Sequence, residues 1–289
     1  MDLTPITSDP VARRALHAAG PHVSQISYGT MRLRGTAQEA ADHLRLLSDH
    51  GITTHHSSHE YDSHALYIEA LARCASTGGH RSHFEHIVKL SSPSFDTDRF
   101  EPQRIRQMVH DELQSLGADR LTSVQWLFRT PDAQDIETRL RLLADQAHAV
   151  HACFDALIQA GDIADVSVFA YHPRFAEPAM RALPTASLCD YLNLAETQNA
   201  VFLDDISSFF AIRPLAAGAM ATTAEDASKA LQWPLLHPTV KTVILSANSP
   251  DHVLAAVDAA GQTSPDLARF RAQLAHATNS HQEDPTNGN

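Results

Sequence analysis

Histidine is the residue type this chain spends most freely on groups able to do chemistry: it has 19, nine of them between His43 and His86. The run His55-His56-Ser57-Ser58-His59-Glu60, with His64 close behind, invites a metal reading. Its spacing matches neither HExxH nor HxH, and neighbouring His55 and His56 on a strand would face opposite ways. A metal would need further ligands from other strand ends, such as His172 or Asp132, so none is expected. His56 has two readings. A neutral imidazole accepts a proton at pH 7, where an ionised carboxylate does so poorly. Alternatively it fills space and hydrogen-bonds Tyr61. Lys89 ends the apolar run His86-Ile87-Val88, which would carry its ammonium, partly desolvated, into a strand-end mouth. Arg213 is suited to clamping a carboxylate or phosphate, or to pairing with an acid such as Glu196. Cys74, Cys153 and Cys189 are scattered without a CxxC, and Cys189 reads as a small core residue.

These residues need elements to position them, and the chain supplies a regular alternation. Val23–Leu33 reads as a strand, with a tight turn at Gly29-Thr30. Ala37–His50 has helix-period apolar positions closed by Gly51. Strands are expected at Ile52–Thr54, His86–Leu90, Leu121–Leu127, Ile163–Phe169, Leu188–Leu194, Phe209–Leu215 and Val240–Leu245. Helices are expected between and after them, including a long one over Asp135–Ala160. About eight strand–helix units without a Gly-, Pro- or Ser-rich linker imply an α/β fold, a single (β/α)8 barrel. No GxGxxG follows the first strand, which argues against a Rossmann fold. In such a barrel the working residues sit where strands end. That places candidates in His55–Tyr61, Lys89–Ser92, Leu127–Asp132, Phe169–His172 and Arg213–Gly218. Residues 1–278 are expected to form the barrel and 279–289 a disordered tail.

The order of these segments resembles the aldo-keto reductase superfamily over nearly the whole chain. Arg13–Leu33 is similar to its N-terminal hairpin and first strand. GITTHHSSHEY, Gly51–Tyr61, resembles the segment Gly-Val-x-x-x-Asp-Thr-Ala-x-x-Tyr. Ile87-Val88-Lys89 resembles the lysine strand, and Leu113–Asp132 the segment that leads to a histidine. Leu157–Tyr171, AIRPLAAG (Ala211–Gly218) and Val240–Val257 resemble later strand-loop units. The resemblance implies carbonyl reduction with NADPH by a Tyr, Lys, Asp, His tetrad. Tyr61 and Lys89 keep the first two positions. His56 takes the aspartate's place, and Leu127, or Phe128 in a shifted register, takes the histidine's. Phe169-Ala170 replaces the Ser-Asn pair that holds the nicotinamide amide, and Ile212 replaces the aromatic residue that stacks on it. Leu127, Phe128, Phe169, His172 and Arg213 are left as substrate contacts. In the last loop Ser246, Asn248 and Ser249 are the cofactor candidates, beside a helix N-terminus able to hold an anion. No basic residue stands there for a 2′-phosphate, and Asp251 opposes one. NADPH is therefore expected to bind weakly or not at all.

With 34 acidic and 22 basic side chains the net charge is −12, which argues against a nucleic-acid partner. No apolar run reaches the ~18 residues of a bilayer span. Met1–Pro5 lacks the basic start and apolar run of a signal peptide, so a cytoplasmic protein with a small-molecule substrate is expected. Three functions follow: a diverged acid–base enzyme using Tyr61, Lys89 and His56 on a small carbonyl or hydroxyl metabolite by isomerisation, dehydration or C–C cleavage; an NADPH-dependent carbonyl reductase with a modified tetrad; or a non-catalytic binding or subunit protein.

Overall fold

A computed structural model describes residues 10–18, 20–76, 83–93, 97–130 and 135–282. An antiparallel hairpin, β1 (Arg13–Ala15) and β2 (His22–Ser24), precedes the barrel. Eight strands then close on themselves, all pairs parallel: β3 (Ile26–Gly29), β4 (Thr54–Ser57), β5 (Glu85–Ser91), β6 (Ser123–Leu127), β7 (Val166–Phe169), β8 (Ser187–Tyr191), β9 (Ser208–Ile212) and β10 (Val240–Leu245). β10 pairs back onto β3, with Val243 opposite Ile26, which completes the (β/α)8 cylinder.

Helices α1 (Ala37–Asp49), α2 (His64–Ser76), α3 (Pro102–Leu116), α4 (Ile136–Ala160) and α5 (Pro173–Arg181) follow β3 to β7 in turn. α6 (Ala224–Leu235) and α7 (Pro250–Gly261) follow β9 and β10. The β8–β9 connection carries a short 3-10 turn, Gln198–Phe202, where the regular pattern would place a helix. A further helix, α8 (Leu267–Gln282), passes the boundary expected at residue 279, and residues 283–289 of the expected tail lie outside the described residues. Asp132 and His80 lie outside them too.

Local chemistry explains the element ends. Thr36 and Glu39 form a reciprocal capping box at the start of α1, satisfying donors the first turn leaves open. Gly51 follows α1 at φ +79°, where a Cβ would come within 2.9 Å of the Val11 nitrogen. Strand alternation divides the core in two. On β6, Val124 and Trp126 face the helix layer, while Gln125 and Leu127 face the barrel axis. Leu16, Val23, Ile87, Cys189, Phe210 and Ile244 pack inside the cylinder. The same interior holds a polar cluster: Ser123 and Ser187 donate to the buried Asp165 at 3.0 Å each. The hairpin is tied to the barrel by Arg14, which donates to the carbonyls of Leu235, His237 and Val240. Packing and polar ties thus close the lower end.

Candidate active site

The C-terminal end of the barrel opens into a cavity of about 460 Å³. Its lining includes His56 from β4, Tyr61 from the following turn, Lys89 from β5, and Gln125 and Leu127 from β6. Phe169, Tyr171, Tyr191, Ile212, Arg213, Ile244 and Ser246 complete most of the wall. The turn that carries Tyr61 is pinned at both ends. The Tyr61 amide donates to the Ser58 carbonyl at 3.1 Å, and the Ser58 hydroxyl donates to the Lys89 carbonyl at 3.0 Å.

Lys89 stands over the face of the Tyr61 ring, 4.9 Å from its centroid, a cation–π contact. Its ammonium is 2.9 Å from Glu60, and Arg129 reaches the same carboxylate at 3.2 Å. Burial pushes the Glu60 carboxyl up, but Lys89, Ser91 and Arg129 together hold it below the ordinary glutamate range. Burial raises the Tyr61 phenol, with the Cys189 thiol and the Glu60 carboxylate adding to the shift. Tyr61 is therefore a protonated phenol at neutral pH.

His56 does not replace a counter-ion for Lys89, and its ring nitrogen bonds to Gln125 rather than Tyr61. Nε2 is 2.7 Å from Gln125 Oε1, while Gln125 Nε2 donates to the Cys189 carbonyl at 3.1 Å. The amide is thereby oriented, Nε2 of His56 carries the hydrogen, and Nδ1 is left as the acceptor. Burial lowers the His56 pKa to about 4, with Gln125 opposing and Lys89 reinforcing the shift. The ring is neutral at pH 7.

The other histidines of the run separate as strand geometry demands. His55 points outward among Tyr28, Tyr67, Phe84 and His86. His59 contacts Glu112 at 3.2 Å. Among the described residues no three His, Cys, Asp or Glu side chains are grouped to hold a metal.

The remaining candidates fall on both sides of the cavity wall. Leu127 and Phe169 line it, whereas Phe128 packs outward against Trp126 and Phe175. His172 is exposed and caps α5, its Nδ1 accepting from the Arg174 amide at 3.1 Å. Arg213 lines the cavity and does pair with Glu196 at 3.2 Å, with its guanidinium 4.7 Å from the Tyr191 ring centroid. In the last loop, Ser246 donates to the Gly29 carbonyl at 2.8 Å, and Asn248 is shared between the Tyr28 hydroxyl at 3.0 Å and the Arg32 carbonyl at 3.2 Å. Ser249 caps α7 through the His252 amide. Sequence reasoning missed Gln125 and Tyr191, and gave no role to Glu60, Arg129 and Tyr171 within its candidate segments. The strand period could have found Gln125, two residues before Leu127, and Tyr191, two after the inward Cys189.

Backbone strain gathers at this rim. The non-glycine residues with positive φ among the described residues are Tyr171 (62°), Arg213 (55°), Ala216 (46°) and Ala217 (59°). All follow β7 or β9, and three of them line the cavity. Each left-handed residue costs about 1–2 kcal/mol, and such strain collects at working sites. A second hollow of about 880 Å³ lies beyond Arg32, which lines both; Arg34, His43, Asn248 and Pro250 help form it.

The fold is that of the aldo-keto reductases. The holo form of an aldo-keto reductase from Bacillus halodurans superposes with a TM-score of 0.69 at 19% identity, covering 92% of this chain and 96% of that one. An aldo/keto reductase from Klebsiella pneumoniae in complex with NADP and acetate gives 0.69 at 18% identity, covering 96% and 98%. A thermostable aldo-keto reductase bound to the inhibitor epalrestat gives 0.66 at 14% identity, covering 92% and 99%. No protein-family model matches the sequence, and no curated protein matches it.

Proposed function

We propose that this cavity is the active site of an enzyme that moves protons on a small carbonyl or hydroxyl metabolite without hydride transfer. The observation that carries the reading is the convergence of the Tyr61 phenol, the Lys89 ammonium and the neutral His56 imidazole on one hollow. A protonated phenol donates to a carbonyl oxygen. The cation over its ring lowers the cost of the phenolate that results. Burial takes away the advantage expected of an imidazole over a carboxylate: at a pKa of about 4, His56 is a base of carboxylate strength, close to the aspartate base of a known isomerase. For an enolisation, the proton on carbon passes to His56 Nδ1 and its bonding pair becomes the C=C bond. The carbonyl oxygen takes the Tyr61 proton. Reprotonation at carbon from the imidazolium, as the enol oxygen gives its proton back to the Tyr61 phenolate, completes the exchange, with no net oxidation.

The residues that would meet a dinucleotide fit it poorly. The Ala170 amide is already accepted by Asp190 at 3.1 Å, and Ile212 and Ile244 present no polar atom to a nicotinamide. Ser246, Asn248 and Ser249 each already bond to the protein itself.

A reductase is the second reading. It is favoured by Arg32 lining two adjoining hollows, which an extended dinucleotide could span, and by the Klebsiella enzyme's complex with NADP.

Tautomerisation of phenylpyruvate, followed by ultraviolet absorbance without NADPH, tests the first reading, with an NADPH fluorescence titration alongside. Turnover that Tyr61→Phe removes supports proton transfer. No turnover together with a micromolar NADPH dissociation constant overturns it in favour of the reductase, and absence of both overturns it in favour of a binding protein.

A further inference from the structure

The groups facing the cavity carry an excess of positive charge in a chain whose net charge is −12. Arg32, Lys89 and Arg213 line it, and Arg129 stands behind Glu60. Among the described residues, Glu60 pairs with Lys89 and Glu196 with Arg213, while Arg32 lines the same cavity, so the lining cations outnumber the carboxylates paired with them. His56 is neutral and adds nothing. The opposite wall is aromatic. Phe169 lies with its ring centroid 4.4 Å from Tyr171 and 5.4 Å from Tyr191, and Arg213 rests on Tyr191. Arg213 holds its place through a left-handed backbone, and its carbonyl is fixed by Asn193 at 2.9 Å. One of its five N–H donors meets Glu196 and another the Tyr191 side chain, so others remain for a ligand.

We propose that this cavity takes a planar aromatic carboxylate, its ring against Phe169 and Tyr191 and its carboxylate on Arg213. Arg suits this task because its fork matches a carboxylate, and stacking on Tyr191 fixes the plane of the fork before the ligand arrives. Glu196 is the built-in competitor: a bound carboxylate shares or replaces it on the same guanidinium. The inference rests on this cavity being the working site and names the class of molecule it accepts.

Calorimetric titration of the full chain with benzoate, benzamide and acetate tests it. Benzoate should bind about tenfold or more tightly than either the neutral ring or the ringless anion, and added salt should narrow the gap to benzamide. Arg213→Met should abolish that gap while benzamide affinity holds. Glu196→Gln, nearly isosteric, should strengthen benzoate binding by freeing the guanidinium. Benzoate binding no tighter than benzamide, or none in the millimolar range, overturns the proposal. So does a folded Arg213→Met protein that keeps the gap. If that variant does not fold, Glu196→Gln decides: unchanged or weaker benzoate binding overturns it. Binding requires no turnover, so the two readings fail separately. Tight benzoate binding with no tautomerisation defeats proton transfer alone, and turnover with charge-blind binding defeats this inference alone.

Discussion

Lys89 touches Tyr61 through the face of its ring, not through a hydrogen bond to its hydroxyl: the ammonium lies 4.9 Å from the ring centroid and is drawn aside by Glu60 at 2.9 Å. The counter-ion therefore sits one residue before the tyrosine in sequence. It sets where the cation's field is strongest, over the π-system in which a phenolate charge would spread.

Tyr61→Phe removes the phenolic proton beside Lys89 and His56 and should lower phenylpyruvate tautomerisation by about 10²–10⁴-fold, the usual span for a general acid. Lys89→Met should cost less, about tenfold to a hundredfold, because it withdraws a field and leaves the proton in place. Steady-state rates of the two variants, with circular dichroism as the folding control, check the order.

Glu60→Gln takes the carboxylate from two largely buried cations, Lys89 at 15% and Arg129 at 16% side-chain exposure. The expected cost is about 1–3 kcal/mol, below the value for a fully buried pair because water still reaches all three groups. Urea unfolding at neutral pH measures it. A stability equal to that of the parent would show the ion pairs to be dispensable.

Acid should unfold this protein through its buried histidines. Burial lowers His56 and His86 to about 4, and His55 falls well below its ordinary value for the same reason, with His86 and His43 adding. Above the unfolded pKa of about 6.5 both states are neutral. Below it the unfolded imidazoles take protons that the folded ones refuse. Stability is thus lost as pH falls from about 6.5 towards 4, by up to about 3 kcal/mol for each of His56 and His86. Unfolding free energies across that range should show the slope, and His86→Leu should flatten it. That variant should be tolerated at pH 7, since it removes a buried Nε2 with no partner and Tyr67 keeps its bond to His55 at 2.8 Å.

Arg139 is 1% exposed and donates to the Phe128 carbonyl at 3.1 Å and the Ala170 carbonyl at 3.0 Å, with its guanidinium 4.0 Å from the Phe175 centroid. Burial lowers its pKa to about 10, which leaves it charged. It joins the ends of β6 and β7 just behind Leu127 and Phe169. Arg139→Ala should cost about 3–5 kcal/mol in denaturant unfolding, since two buried carbonyls lose their donor.

The amino-acid sequence by itself determined the alternation of strand and helix, the helix stops such as Gly51, and the strand ends that carry His56, Tyr61 and Lys89. Those follow from local period and capping, which act within a few residues. Other features were settled only by the closed barrel. Gln125 meets His56 across β4 and β6, Glu60 meets Lys89 of β5 and Arg129 just past the end of β6, and Arg213 meets Tyr191 from β8. Phe128 and Leu127 could be told apart only once the pleat of β6 was known, because a one-residue slip exchanges the faces of a strand. The helix Leu267–Gln282 was likewise hidden: its face is closed by the Trp233–Phe270 stack, rings 4.8 Å apart, a contact between residues remote in the chain. Charge pairing and ring stacking act through space, and where they act depends on which strands the cylinder brings side by side.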